Sequence, residues 1–122
     1  VESIKFLGDN DVNKKINLAL FGYKNKSDKE KKISLILRSS KNIAVASKNS
    51  KGEAQTYKVT LQVNMKANLE ESIFFEKNMK KSATYNSVER KSEEKLIENK
   101  LIENLSNQIA QQIIFEILNN TD

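Results

Sequence analysis

The central part of the chain alternates strictly between apolar and polar residues. Seven apolar residues occupy every second position from Tyr57 to Leu69, and polar residues fill the positions between them. This period of two predicts a long strand that is buried on one face and exposed on the other. Such a strand is typical of an antiparallel sheet whose second face is left to solvent or to a partner.

Three flanking segments also have strand character. Ser3–Leu7 alternates weakly and ends at the turn-forming residue Gly8, which predicts a short strand. Alternation returns over 32–47, with an interruption at Ser39–Asn42 that predicts either a bulge or a bend. Ile73–Tyr85 is a second long extended segment with a less regular pattern. The sequence therefore predicts four strands.

The connections carry turn and loop signals. Asn49–Gly52 predicts a hairpin turn in which the glycine has a positive φ angle. A second turn is predicted over residues 68–72. The segment from Tyr23 to Lys32 is rich in Lys, Asn, Asp and Ser without a period, and this composition favours a solvated, charged loop over a specific binding loop.

The last third of the chain changes to a helical period. Apolar residues recur every fourth position from Ile97 to Ile117, which predicts a long amphipathic helix over Glu89–Leu118. Asn86 with Glu89 resembles a capping box, and Ser92 offers a second possible start. The apolar stripe is typical either of a coiled coil or of a helix that covers a sheet.

A shorter helix is predicted near the start of the chain. Val12, Ile16 and Leu20 repeat at helical spacing over Asp9–Phe21, and Asp9 suits the N-cap position. Gly22 is placed to end this helix in a left-handed conformation.

These elements predict one α+β domain over residues 1–122. The expected architecture is a two-layer sandwich in which a mostly antiparallel or mixed sheet of four strands carries both helices on one face. The other face is then open, and we interpret it as a partner-facing surface. Its central strand contributes Lys58, Thr60, Gln62, Asn64 and Lys66.

Composition removes several kinds of chemistry. The 122 residues include no Cys and no His, so thiolate nucleophiles, imidazole bases and the metal sites built on these ligands are excluded. The glycines are isolated and form no phosphate-binding loop. We therefore expect a protein that is not an enzyme and that needs no cofactor or metal.

The net charge of +5 points to anionic partners. Lys77, Lys80 and Lys81 form a basic cluster, and ammonium groups pair with phosphate as compact point charges. The alternative interpretation is an ordinary solvated strand edge. Nucleic-acid binding also suits the charge, but the lysines are not interleaved with aromatic residues and arginine is scarce.

The order of segments after residue 54 matches a known family pattern. It comprises a long alternating strand, a short turn, a strand that ends in an aromatic-Asn pair, and a charged helix with a Leu–x–x–Gln-Ile motif. Here these parts are Tyr57–Leu69, Glu70–Ser72, Ile73–Ala83, Tyr85-Asn86 and Glu89–Leu118, with the motif at Leu105–Ile109. The arrangement resembles the LPS-assembly lipoprotein family LptE, in particular its alphaproteobacterial branch, whose first helix is similar to Asp9–Phe21.

The resemblance implies an outer-membrane lipoprotein on the periplasmic side, anchored by a lipid upstream of Val1. It further implies association with the barrel protein LptD and a role in lipopolysaccharide assembly, with lipopolysaccharide as a ligand and no nucleic acid. We expect Lys77, Lys80 and Lys81 to bind lipopolysaccharide on grounds of charge alone. Two alternatives stay open, a basic nucleic-acid-binding module and an envelope domain that oligomerises through its long helix.

Overall fold

Six elements follow one another along the chain in the predicted order. They are β1 (Ser3–Gly8), α1 (Asn10–Lys26), β2 (Ile33–Lys48), β3 (Ala54–Leu69), β4 (Ile73–Asn86) and α2 (Lys91–Thr121). The computed structural model describes residues 3–26, 33–69 and 73–121. The strands form one sheet in the order β1-β2-β3-β4. β1 runs parallel to β2 and the other pairs are antiparallel, which confirms the predicted α+β fold with a mixed sheet.

The hydrophobic core lies between one face of the sheet and the two helices. α1 packs on β1 and β2, and α2 packs on β3, on β4 and against α1. The residues that alternate along β3 face this core, as the sequence predicts. The largest fully buried side chains are Ile16, Leu35, Leu37, Leu61, Met65, Met79, Ile102, Ile109, Ile113, Ile117, Val12 and Val59. Both helices therefore cover the same face.

The first helix begins where the sequence predicts and ends later. Asp9 caps it, because its Oδ1 accepts the backbone N–H of Val12 at 3.0 Å. The helix continues through Gly22 to Lys26, so the prediction that Gly22 ends it is wrong. A glycine inside a helix costs only about 1 kcal/mol, which neighbouring helical turns outweigh. The first four residues of the predicted loop over 23–32 belong to α1 in the structure. Residues 27–32 lie outside the described residues.

β2 passes through Ser39–Asn42 without a break. Its residues stay in register with β3 from Ile33 to Val45, and the irregularity falls only between Val45 and Lys48. The predicted interruption at Ser39–Asn42 is therefore wrong. The pattern is broken in sequence because polar residues hold both helix-facing positions there, Lys41 and Ser39, of which Ser39 is buried and only 3% exposed.

Ser39 joins the β1–α1 junction to β2 through hydrogen bonds. Its hydroxyl donates to Asn13 Oδ1 at 2.6 Å, and its carbonyl accepts the N–H of Asp9 at 3.1 Å. The amide of Asn13 donates to the carbonyl of Leu7 at 3.2 Å. Gly8 has a φ of +94°, which lets the chain turn sharply from strand into helix at this point. The buried polar groups are thus satisfied by one another.

The two turns after β2 and before α2 use side-chain acceptors. Oδ1 of Asn49 accepts the N–H groups of Lys51 and Glu53, and Gly52 has a φ of +82°, which confirms the hairpin turn. The second predicted turn has residues 70–72 outside the described residues. At the start of α2, the carboxylate of Glu94 accepts the N–H of Val88 at 3.2 Å.

The long helix is shifted relative to its prediction. It spans Lys91–Thr121 rather than 89–118. The predicted box of Asn86 and Glu89 does not form, because Asn86 ends β4 and the first helical bond runs from the N–H of Glu94 to the carbonyl of Arg90. None of the helices in the described parts of the chain combines the length and apolar character required to cross a bilayer.

Candidate partner-binding surfaces

The open face of the sheet carries the five residues proposed from the β3 pattern. Lys58, Gln62 and Lys66 are exposed, and Thr60 and Asn64 are half-buried. They alternate with the core residues of β3, so they point away from both helices. Among the described residues, the packed helices lie on the opposite side of the sheet. The structure therefore brings all five together on one uncovered surface.

Neighbouring strands make this surface more basic than β3 alone. The registers of β1, β2 and β4 place further charged side chains beside the five β3 residues. Among the described residues in regular register, the cations of the open face are Lys5, Arg38, Lys58, Lys66 and Lys80, and Glu76 adds a carboxylate. The sequence does not reveal Lys5 and Arg38 as members because it does not state which strands pair, or in which register.

Hydrogen bonds between side chains order part of the open face. The amide of Asn64 donates to Glu76 Oε2 and to Asn78 Oδ1, each at 2.8 Å. At the other end of the sheet, the hydroxyls of Ser47 and Thr56 lie 2.6 Å apart. Such cross-strand pairs stabilise the sheet and restrain the side chains that form them. This part of the polar surface is therefore ordered by the protein's own side chains.

Two exposed large apolar side chains of the described residues interrupt the polar surface. Ile36 is 38% exposed and Phe74 is 59% exposed. Phe74 lies opposite Asn68 of β3, which places its ring on the open face rather than in the core. Exposed aromatic residues within a polar surface are frequent in binding sites. The sequence gives no strong signal for this, because β4 presents two phenylalanines in succession.

The structure divides the basic cluster of β4 between two faces. Lys77 lies opposite Met65, and Lys81 lies opposite Leu61, so both belong to the helix-covered face. Lys80 lies opposite Gln62 on the open face. Nζ of Lys77 is 3.9 Å from Oε1 of Glu116 on α2. Because successive strand residues point to opposite faces, these lysines form two groups at one edge rather than one patch.

A buried carboxylate connects α2 to the end of β4. Glu98 is 9% exposed; its Oε1 accepts the hydroxyl of Tyr85 at 3.2 Å, and its Oε2 lies 2.6 Å from Nζ of Lys95. The ring of Tyr85 stacks on Tyr57 at a centroid distance of 5.4 Å. Burial, with a further contribution from Glu98, raises the pKa of Tyr85 to about 12. Since both oxygens of Glu98 are engaged, we interpret this cluster as a structural link.

The raised pKa of Tyr85 predicts a loss of stability at alkaline pH. The folded protein holds the phenol proton more tightly than the unfolded chain, in which the pKa is about 10. The contribution is present below pH 10 and is lost as the pH rises through 12. Relative to Tyr85→Phe, the free energy of unfolding should fall by about 2 kcal/mol between pH 10 and 12. Urea denaturation at stepped pH measures this, and parallel curves for the two proteins would contradict it.

Other candidate sites offer little chemistry. Within the described ranges, no group of three or more His, Cys, Asp or Glu residues is placed to hold a metal ion. An open groove between the helices is lined by Lys15, Leu18, Ala19, Glu103 and Asn107. The candidate binding surfaces are therefore the open face of the sheet and the outer edge of β4, where Lys77, Lys80 and Lys81 lie.

The fold matches that of several solved bacterial proteins. Rare lipoprotein B from Shewanella oneidensis aligns with a TM-score of 0.70 at 14% identity, covering 97% of this chain and 95% of that chain. The chain has the fold of these bacterial lipoproteins. A putative lipoprotein from Caulobacter crescentus aligns with a TM-score of 0.58 at 13% identity, over 93% of this chain and 85% of its own.

A third similar structure is lipoprotein B from Nitrosomonas europaea. Its TM-score is 0.60 at 8% identity, and the alignment covers 92% of this chain and 81% of that chain. No protein-family model and no curated protein matches the sequence. At these identities the likeness establishes a shared fold, and the roles of individual residues have to be argued from their geometry.

Proposed function

We propose that this protein is a non-catalytic, lipid-anchored subunit on the periplasmic side of the outer membrane. In this proposal it associates with an LptD-type barrel and assists lipopolysaccharide assembly. The observation that carries the proposal is the sheet face that the helices of the described residues leave uncovered, which is polar and basic. The fold shared with bacterial lipoproteins and the sequence resemblance to the LptE family support the same function.

The uncovered face suits a barrel wall because of its size and chemistry. β3 has 16 residues, which at roughly 3.3 Å per residue extends about 50 Å. Lys58 and Lys66 at this surface favour acidic groups on the partner, and the amides and hydroxyls between them suit a polar, hydrated contact. Phe74 offers an apolar anchor at one end of the face. The partner would therefore bind through the face that is unused in the fold.

Charge reversal on the open face tests the barrel interaction. Replacing Lys58 and Lys66 with glutamate should weaken co-purification with the barrel about tenfold or more, because like charges then face an acidic surface. The matched control reverses Lys14 and Lys100, which are exposed on the helices. Purification from membranes with a tagged barrel, quantified by immunoblot, measures the loss. Equal recovery of both variants would remove the open face from the proposal.

Lipopolysaccharide binding is tested at the β4 lysines. Neutralising Lys77, Lys80 and Lys81 to glutamine should weaken binding of purified lipopolysaccharide while the thermal unfolding transition is unchanged. Because Lys80 lies on the other face from Lys77 and Lys81, the single variant Lys80→Gln is compared with the double variant Lys77→Gln/Lys81→Gln. A larger loss in one of them identifies the face that holds the phosphates. Unchanged binding in the triple variant would remove these lysines from the site.

A further inference from the structure

One long edge of the sheet is unpaired in the described parts of the chain. β4 spans 14 residues and pairs with β3 on one side, and no described strand pairs with its other side. An edge of this kind presents a row of backbone N–H and C=O groups, which is a template for one more strand. The edge extends from Ile73 to Asn86.

One flank of α2 overlooks this edge. Glu103 of α2 lies beside Lys15 of α1, so that flank of α2 faces α1. Successive residues of an α-helix are rotated by about 100° about the helix axis. Around the axis of α2, the positions of Ile97, Leu101 and Phe115 are therefore roughly 120° to 160° away from that of Glu103. Since α2 packs on β3 and β4, their flank is on the side of the free edge. Ile97 is 41% exposed and Phe115 is 62% exposed.

Two lysines of β4 lie on the face of the sheet on which α2 packs. Lys77 and Lys81 point to the helix side of β4, with the buried Met79 between them. The side chain of Lys77 is 47% exposed although it lies 3.9 Å from Glu116. Lysines on an edge strand disfavour pairing with another basic strand, including a second copy of β4. The same lysines favour a strand that carries carboxylates at the facing positions.

We propose that the free edge of β4 binds an extended, acidic segment of a partner protein as a fifth strand of the sheet. Side chains of an added strand share a face with the β4 residues opposite them. The positions of the added strand that face the helix side of the sheet should therefore read acidic, apolar, acidic, opposite Lys81, Met79 and Lys77 in turn. Backbone hydrogen bonds supply the affinity, and these side chains supply the specificity. This inference is independent of the barrel and lipopolysaccharide assignments above.

A designed peptide tests the proposal directly. The probe is a capped seven-residue peptide with glutamate at positions two and six, valine at position four and threonine elsewhere, labelled with fluorescein. Its binding to the full chain is followed by fluorescence anisotropy. An added strand uses only one of its two edges, because alternate residues point their N–H groups to opposite sides. N-methylation of the even positions or of the odd positions, but not of both, should therefore abolish binding.

Protein variants test the charge part of the proposal. Replacing Lys77 and Lys81 with glutamine should weaken peptide binding about tenfold, since two ion pairs are lost. Replacing Lys14 and Lys100 with glutamine, the same change in net charge at exposed helix positions, should alter it less than about twofold. Protection of β4 amides from hydrogen exchange on peptide binding would place the peptide at the edge.

Four outcomes would overturn the proposal. They are no binding of the unmodified peptide at millimolar protein, equal binding of both methylated peptides, equal loss in the two lysine variants, and no added protection of β4 amides. Sedimentation of the protein alone as a dimer with protected β4 amides would assign the edge to a second copy instead. Because the methylation pattern reports on backbone pairing, it does not depend on whether lipopolysaccharide binds to the same lysines.

Discussion

Replacing Gly8 with alanine should lower the free energy of unfolding by about 3 kcal/mol or more. Two penalties act together at this position. The φ of +94° is a conformation that residues with a side chain rarely adopt, and an added Cβ would lie 2.0 Å from the carbonyl oxygen of Ser39. The obstructing atom belongs to the backbone of β2, so it can move only if the β1–α1 junction separates from the sheet.

Gly52→Ala provides the matched control for Gly8→Ala. Gly52 has a similar φ of +82°, but an added Cβ there meets no atom within 4 Å. Its replacement should cost only about 1 kcal/mol, from backbone strain alone. Urea denaturation followed by circular dichroism measures both values. Equal losses for the two variants would show that contact with Ser39 contributes nothing.

Replacing Ile109 with alanine should lower the free energy of unfolding by about 3 to 4 kcal/mol. Ile109 lies on the side of α2 that packs on the sheet, and its side chain is fully buried. The substitution removes buried apolar surface and leaves a cavity that the surrounding strands cannot close. If α2 is the cover of the sheet, this single truncation should remove a large part of the total stability, which for a domain is about 5 to 15 kcal/mol.

Ile97→Ala is the control for Ile109→Ala. Both residues belong to the same helix and to the same stripe of apolar residues that recur every fourth position in the sequence. Ile97, however, is 41% exposed. Its truncation should cost less than about 1 kcal/mol, because little apolar surface returns to water. Chemical denaturation of the two variants gives the comparison, and similar values would be incompatible with the placement of α2.

The two proposed binding surfaces occupy different parts of the same sheet. The open face is broad, polar and ordered by bonds such as that from Asn64 to Glu76. The β4 edge is narrow and lies beside an apolar helix flank that ends near Phe115. Because the surfaces do not coincide, a barrel on the open face leaves the outer edge of β4 available for an extended segment. Both assignments can therefore be tested in one preparation of the protein.

The helix boundaries show where sequence patterns lose precision. The alternation of β3 and the stripe of α2 are long and regular, so the existence and type of these elements follow from the sequence. Their ends depend on individual hydrogen bonds, such as that from Val88 to Glu94, which a pattern does not contain. Gly22 illustrates the same limit, since continued helical packing outweighs its local preference.

The sequence by itself determined the order of six elements, the two-layer fold and the polar face of β3, because burial on one side imposes a period that is visible in the residues. Only the tertiary structure decided which strands are neighbours and in which register. That register separated Lys80 from Lys77 and Lys81, added Lys5 and Arg38 to the open face, and left β4 at the edge. The physical reason is that strand pairing joins residues that are distant in the chain, so local periodicity carries no record of it.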